Sequence, residues 1–180
     1  MKPILKLINS KEITSSFYLM QVNEKHFFPS WHFHPEYEIM FVLEGRGLRF
    51  VGDNFERYRP GDLVMLGGGI SHLFKSDREY YQSNTNLSSK AIVVYFKEDL
   101  FGEGFWNLSE AIPIKRLLSD SHKGIKFKNP VKDRLIQNIL KFNDQNNEID
   151  NIINLLKIIR IMMDSNAYEY LSSEAFTGNV

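Results

Sequence analysis

The sequence has 180 residues, of which 43% are hydrophobic and 13% aromatic, and its 22 basic and 22 acidic side chains give a formal net charge of zero. This composition excludes a disordered chain and a strongly charged surface for nucleic acid or anionic membranes. The lack of cysteine excludes disulfides, thiolate metal ligands and cysteine nucleophiles. No apolar run approaches the roughly 20 residues of a transmembrane helix, and the N-terminus lacks a secretion signal. We therefore expect one cytoplasmic domain with a small appendage and no membrane contact.

The first half of the chain is predicted to consist of short strands. Residues 4–8 and 17–22 are strand candidates, and from residue 37 to residue 96 β-branched and aromatic runs alternate with Gly, Pro and Asn turns. Many short strands with such punctuation indicate a β-sandwich or barrel. Arginines flank several of these turns without interleaved stacking aromatics, which predicts a solvated rim and not a nucleic-acid site. These arginines are Arg46, Arg49, Arg57 and Arg59.

A polar cluster interrupts the strand-like sequence near its start. His32 and His34 lie two residues apart, so on one strand they point to the same face, and Pro35 is predicted to bend the chain after them. If extended pairing resumes in phase, Glu38 joins this face. Two imidazoles and a carboxylate favour Zn, Ni, Fe(II) or Mn over Ca or Mg. Three alternatives stay open: a hydrogen-bonded network lining a ligand cavity, a former metal site that no longer holds an ion, or a different strand phase that scatters the groups.

The turn at residues 44–47 predicts a hairpin between the strand that carries Glu38 and the next strand. In this hairpin Leu48 would lie near Val42, and Phe50 near Met40. The face that carries the polar cluster would therefore continue with these apolar side chains on both strands.

After residue 97 the apolar period changes from 2 to 3.6, which predicts helices. Helical segments are expected after Ser109, after the Asn129-Pro130 pair and over residues 148–165, with a break at 143–147. The last helix has a wide apolar face that either docks on the β-domain or pairs with its copy across a two-fold axis, and its width favours dimerisation. The expected organisation is a β-barrel effector domain over 1–106, a helical segment over 107–171 and a tail over 172–180.

Two stretches together resemble the paired motifs of the cupin superfamily. His-x-His-x3-Glu-x6-Gly runs from His32 to Gly45, and Gly-x7-Gly-x2-His runs from Gly61 to His72. The resemblance implies a mainly β fold, a double-stranded β-helix or jelly-roll barrel, with a three-His, one-Glu metal site made of His32, His34, Glu38 and His72. The chain departs from the family pattern at Gly67, where cupins usually have proline, and at Ser76, where they usually have asparagine. The glycines at 67–69 predict a less rigidly held His72.

The surrounding sequence is similar to the N-terminal sensor domain of bacterial AraC-type transcription regulators. The segments that carry this similarity are 36–39 (EYEI), 43–53 (LEGRGLRFVGD), 60–67 (PGDLVMLG), 101–106 (FGEGFW), 117–118 (LL) and 124–127 (GIKF). The resemblance implies a barrel that binds a small effector such as a sugar, C-terminal helices that form a homodimer, and helix-turn-helix units beyond this chain. The sequence has no basic recognition helix, so we expect no direct nucleic-acid binding by this part.

The resulting hypothesis is a ligand sensor and not an enzyme. Its effector pocket is predicted to contain His32, His34, Glu38, Met40, Val42, Leu48, Phe50 and His72. One divalent transition metal (Zn, Ni, Fe or Mn) is the only cofactor that we expect. Effector binding would shift the C-terminal helices on the barrel and so change the spacing of attached DNA-binding units. The alternatives are a metal-dependent cupin enzyme, such as a dioxygenase or sugar isomerase, and a storage or structural cupin.

Overall fold

The computed structural model describes residues 2–8, 17–142, 148–164 and 166–173. Its strands are β1 (Ile4–Leu5), β2 (Phe17–Glu24), β3 (His32–Phe33), β4 (Tyr37–Glu44), β5 (Gly47–Val51), β6 (Asn54–Tyr58), β7 (Leu63–Leu66), β8 (His72–Ser76), β9 (Ser89–Phe96), β10 (Ile125–Phe127) and β11 (Tyr168–Tyr170). Its α-helices are α1 (Gly102–Trp106), α2 (Ile112–Ser121), α3 (Val131–Ile139) and α4 (Glu148–Met163). The predicted break at 143–147 and most of the predicted tail lie outside the described residues.

The strands form two sheets. One has the order β1-β3-β8-β5-β6, and the other has the order β11-β10-β7-β4-β9-β2. Buried side chains from both sheets share one apolar cluster, so the sheets face each other. From β6 to β9 consecutive strands alternate between the sheets, which is consistent with a jelly roll. The predicted fold class, mainly β with C-terminal helices, is confirmed.

The six-stranded sheet is buried on both faces, which explains the continuous apolar sequence of β4. Ile39 packs in the cluster that includes side chains of α2, α3 and α4. Met40 and Val42 point instead into the cluster between the two sheets. Because side chains two residues apart share a face, Glu38 also points between the sheets. The inward direction predicted for Glu38, Met40 and Val42 therefore agrees with the structure.

The predicted hairpin between β4 and β5 is wrong. β4 pairs with β7 and β9, whereas β5 pairs with β6 and β8. The chain turns at Gly45, whose φ of 110° favours glycine, and crosses to the opposite sheet. In β5 the buried side chains are consequently Arg49 and Val51, while Leu48 and Phe50 alternate with them and are partly exposed.

Arg49 is also an exception to the predicted solvated arginine rim. Its side chain is 0% exposed, and its guanidinium donates hydrogen bonds to Glu56 at 2.9 Å and Asp62 at 3.4 Å. By contrast, the side chains of Arg46 and Arg57 are 55% and 58% exposed. The pattern of apolar residues predicts that Leu48 and Phe50, the neighbours of Arg49, point inward. Arg49 takes the inward position instead, because its ion pairs with two carboxylates compensate the buried charge.

The C-terminal segment covers the outer face of the six-stranded sheet and also extends that sheet. Leu117, Leu135 and Ile158 are buried in the cluster that this segment shares with β4 and β7. β10 pairs with β7, and β11 pairs with β10, so the chain returns to the sheet after α4. Neither of these two strands was predicted from the sequence. Among the described residues, no helix combines the length and the apolar composition needed to cross a bilayer.

Candidate metal and ligand site

Three histidines and a glutamate converge between the two sheets. His32 on β3 pairs directly with His72 on β8, and His34 follows two residues after His32. A potential donor atom of each of these histidines lies within 4.8 Å of the others. The Oε2 atom of Glu38 lies 3.0 Å from Nε2 of His34 and 3.5 Å from Nε2 of His72. All four side chains are buried, so the four residues predicted as metal ligands share one interior location.

Main-chain carbonyls fix which nitrogen of each ring faces the cluster. The Nδ1 atom of every one of the three histidines lies within hydrogen-bonding distance of a carbonyl oxygen two residues away. These carbonyls belong to Ser30, Glu36 and Ile70, at 2.8, 3.1 and 2.9 Å. Because Nδ1–H donates to these oxygens, a neutral ring presents the Nε2 lone pair, the arrangement that metal-bound histidines commonly show.

More lone pairs of nitrogen and oxygen than hydrogen-bond donors face the centre of this cluster. The Nε2 atom of His72 is buried and has no hydrogen-bond partner in the described part of the chain. With Nδ1 as the donor, His34 also turns a lone pair toward the Glu38 carboxylate at 3.0 Å. A cation between these atoms, with bonds of about 2.1 Å, fits such a separation and resolves the conflict of lone pairs. The donor set therefore fits a divalent transition metal.

The protonation states also suit a metal site. Burial and, to a smaller extent, the charge of His72 lower the pKa of His32 to about 3, so this ring is neutral at pH 7. Burial alone would raise the pKa of Glu38, but the neighbouring imidazoles of His72 and His34 hold that pKa well below its usual range. Neutral imidazoles and an ionised carboxylate are the forms that bind metals.

Two buried polar side chains that the sequence analysis did not single out adjoin the cluster. Glu36 Oε2 is buried, lies 3.7 Å from His34 Nδ1 and has no hydrogen-bond partner among the described residues. The ring of Tyr95 lies edge-on to His34, and burial together with the charge of Glu38 raises the pKa of its hydroxyl. The signal in the sequence was the phenol of Tyr95 at the end of the apolar, buried run from Ala91 to Val94.

The glycine-rich loop packs the second motif closely against the first. A Cβ atom on Gly68 would lie only 2.2 Å from the Pro35 carbonyl oxygen. Gly69, with a φ of 82°, donates its N–H to the His34 carbonyl at 2.7 Å. Residue 68 therefore approaches the Pro35 carbonyl so closely that only glycine fits there. These contacts support the loop although it has Gly67 where cupins usually have proline.

A cavity of about 390 Å³ opens beside the cluster, between the sheets. Of the eight predicted pocket residues, His32, Glu38, Met40 and His72 line it. His34 adjoins the cavity through its contacts with Glu38 and His72.

The other three predicted pocket residues lie elsewhere in the described structure. Val42 is buried in the inter-sheet cluster. Leu48 and Phe50 alternate with the inward-facing residues of β5, and the Phe50 ring contacts Trp31 and Phe55. The cavity wall instead includes residues near the N-terminus and on β2, among them Lys6 and Met20, which the sequence analysis did not predict.

With this geometry established, comparison with known proteins gives one family match. Residues 18–79 match the family model described as "Cupin domain". The matched region spans β2 to β8 and includes all four residues of the polar cluster. Together with the two facing sheets, the match confirms the predicted cupin-type fold for the β-domain.

The alignments with individual relatives cover only part of this chain, part of the relative, or both. The chain is similar to an acireductone dioxygenase of Phaeosphaeria nodorum, with 36% identity over an alignment of 61 residues that covers 31% of this chain and 35% of that protein. Among solved structures, the AraC-like transcriptional activator CuxR is 10% identical, with 78% of this chain and 45% of that chain covered and a TM-score of 0.47. ToxT from Vibrio cholerae is 9% identical, with 89% and 61% covered and a TM-score of 0.44.

Proposed function

We propose that this chain is the effector-binding and dimerisation module of an AraC-type transcription regulator. The observation that carries the proposal is the 390 Å³ cavity, which lies between the sheets and is bordered by the histidine–glutamate cluster. A cavity of this size with a few convergent polar groups suits a small molecule. The similarity of sequence segments from residue 36 to residue 127 to AraC-type sensors supports a regulatory role for the bound molecule.

Within this proposal, His32, His34, Glu38 and His72 hold one divalent transition metal. When bound, such a metal polarises a coordinated oxygen of the ligand as a Lewis acid. The Nδ1 hydrogen bonds keep the three rings oriented, and Met40 contacts the body of the ligand. Ligand binding therefore places a small molecule directly against β3, β4 and β8.

The structure offers a route from this site to the C-terminal segment. Glu38 pairs across the sheet with Leu66, whose neighbour Met65 pairs with Ile125, and Ile125 pairs with Tyr170 on β11. Asp53 further accepts hydrogen bonds from Ser172 and Ser173, which follow β11. A ligand that binds two arrangements of β4 and β7 unequally would shift β11 through these pairs, which is the requirement for coupling.

Dimerisation through the C-terminal helices is part of the proposal. On α4, Ile149 and Ile153 are exposed by 60% and 43%, although neighbouring positions of this helix are buried against the sheet. Two exposed isoleucines one turn apart form an apolar stripe that a second copy of the helix would cover.

A small-molecule screen tests the sensor role directly. We expect at least one compound to raise the melting temperature with concentration, since binding to the native state alone stabilises it. Val93→Phe, which fills the cavity wall, should abolish the shift, whereas the matched variant Leu48→Phe, on the other side of its sheet, should retain it. A sensor returns the compound chemically unchanged and shows altered hydrogen exchange in α4 and β11. Turnover of the compound, or equal binding by Val93→Phe, would contradict the proposal.

The second candidate is a metal-dependent cupin enzyme, such as a dioxygenase or sugar isomerase. The observation that favours it is the complete three-histidine, one-glutamate donor set, within the stretch that matches a cupin domain. Tyr95 and Glu36 would then hold or move protons beside the ligand. Product formation that depends on added metal and is lost in His72→Ala would establish this alternative over the sensor.

A further inference from the structure

We propose, building on the ligand-binding function above, that the cavity takes a small carboxylate with an apolar body and that Lys6 binds its carboxylate group. The inference starts from the position of Lys6. β1 pairs in parallel with β3, so that Ile4 lies beside His32, and the N–H of Lys6 donates to the Phe33 carbonyl at 2.9 Å. These contacts place Lys6 on the wall of the cavity next to the histidine cluster.

Among the described residues, the Lys6 ammonium forms no ion pair with an acidic side chain. Its Nζ atom lies 4.5 Å from the centre of the Phe28 ring. Glu38 is the buried carboxylate of the cavity wall, but its Oε2 atom faces the histidine cluster, 3.0 Å from Nε2 of His34 and 3.5 Å from Nε2 of His72. The Lys6 side chain is half-buried, so this amine is partly removed from water, and burial lowers its pKa although Glu38 opposes the change.

Within the described structure, the Lys6 ammonium therefore has no anionic partner of its own inside the cavity. A partly desolvated cation gains most from a charged hydrogen-bond partner, and a single ammonium matches a single negative charge. Glu24 also lines the cavity, but its side chain is exposed to water. Solvent therefore screens Glu24, and it does not compensate a charge inside the cavity.

The rest of the cavity defines the body of the ligand. The wall away from Lys6 and the histidines is largely apolar, with contributions from Met20, Val22, Phe27, Phe74 and Val93. A sugar would leave several hydroxyl groups without partners against such a wall, at a cost for each. An alkyl or aryl carboxylate instead buries apolar surface there and presents one charge to Lys6.

Matched pairs of carboxylates and neutral amides test this inference. Calorimetric titration with phenylacetate and phenylacetamide, and with octanoate and octanamide, measures the preference for charge at constant shape. We expect the carboxylate of at least one pair to bind at least about tenfold more tightly than its amide. Lys6→Gln should remove that preference without weakening amide binding, Lys6→Arg should preserve it, and the exposed-lysine control Lys75→Gln should leave it unchanged.

The outcomes separate this inference from the proposed function. Binding of amides and carboxylates with equal affinity would overturn the role of Lys6 while leaving a ligand-binding cavity in place. A carboxylate preference that persists in Lys6→Gln would assign the anion to the metal site and also overturn the inference. If none of the four compounds binds up to 10 mM (roughly −2.7 kcal/mol by the affinity scale), the carboxylate class is contradicted, whereas the ligand-binding cavity still stands if another compound of the screen raises the melting temperature and Val93→Phe abolishes that shift.

Discussion

At the scale of single residues, the histidines owe their common orientation to the main chain. Each of His32, His34 and His72 directs Nδ1 to a carbonyl two residues away, and so turns Nε2 toward Glu38 or the cavity. The residue spacing predicted the shared face, but the ring orientation depends on local backbone turns that spacing alone does not contain. Burial then lowers the pKa of His32 and keeps this ring neutral at pH 7, which is the state needed to accept a metal.

The lowered pKa of His32 has a consequence for stability in acid. Burial and then His72 lower this pKa to about 3 from the ordinary 6.5, with a smaller lowering by Lys6 and opposing effects from the Ser30 carbonyl and Glu38. Between these two values the unfolded chain binds a proton that the folded chain does not. In metal-free protein, the unfolding free energy should therefore fall as the pH decreases from 6.5 toward 3, by at most about 1.4 kcal/mol per pH unit from this group.

Chemical denaturation at a series of pH values, in wild type and in His32→Gln, measures this effect. The difference between the two proteins should shrink or change sign on acidification, since only wild type carries the titrating ring. A difference that stays constant from pH 7 to pH 4 would show that His32 is not desolvated as described.

Arg49 provides a second test at this scale. Arg49→Ala removes a buried guanidinium and leaves Glu56 and Asp62 without their partner, so we expect a loss of about 3 kcal/mol in unfolding free energy. The matched variant Arg57→Ala, which removes an exposed ion pair with Asp77, should cost about 1 kcal/mol or less. Urea denaturation of both variants measures the difference, and equal losses would contradict the structural role of Arg49.

At the scale of elements, the glycine loop between β7 and β8 joins the two sequence motifs. Gly68 approaches the Pro35 carbonyl so closely that an added methyl group has no room. Gly68→Ala should therefore push the loop away from β3 and destabilise the fold by about 1–3 kcal/mol. It should also weaken metal binding, because His72 follows the loop by three residues.

Gly104→Ala is the control for this substitution, because a Cβ there meets open space. This control should be neutral or slightly stabilising, by at most about 1 kcal/mol. Melting temperature and metal affinity of the two variants are the measurements. A Gly68→Ala protein that binds metal as wild type does would contradict the close packing of the loop.

Some strands could be predicted from sequence patterns, and others could not. Continuous apolar runs predicted β4 and β9, because both faces of these strands are buried, and the even spacing of His32, His34 and Glu38 predicted the inward face of β4. The apolar pattern failed for β5, where Arg49 is inside and Phe50 outside, since ion pairs reversed the usual assignment. β10 and β11 were missed because strands of three residues are too short for a periodic signal, and their pairing depends on contacts distant in sequence.

At the scale of the whole molecule, the described residues form two buried cores of different composition. The core between the six-stranded sheet and the helices is closed and apolar, and it attaches the C-terminal segment to the sheet. The core between the sheets contains the cavity and the polar cluster. β4 and β7 belong to both cores, so a change at Glu38 has a short path to the outer helices.

The most direct test of this account is the metal content of protein purified without chelators and reconstituted with Zn, Ni, Fe or Mn. Elemental analysis should give about one metal per chain, with X-ray absorption showing imidazole nitrogens about 2.0–2.1 Å from the metal if it is zinc. His72→Ala and Glu38→Ala should lose the metal, whereas His26→Ala, outside the cluster, should keep it. Absence of metal after reconstitution with all four ions, or unchanged binding in His72→Ala, would contradict the proposed site.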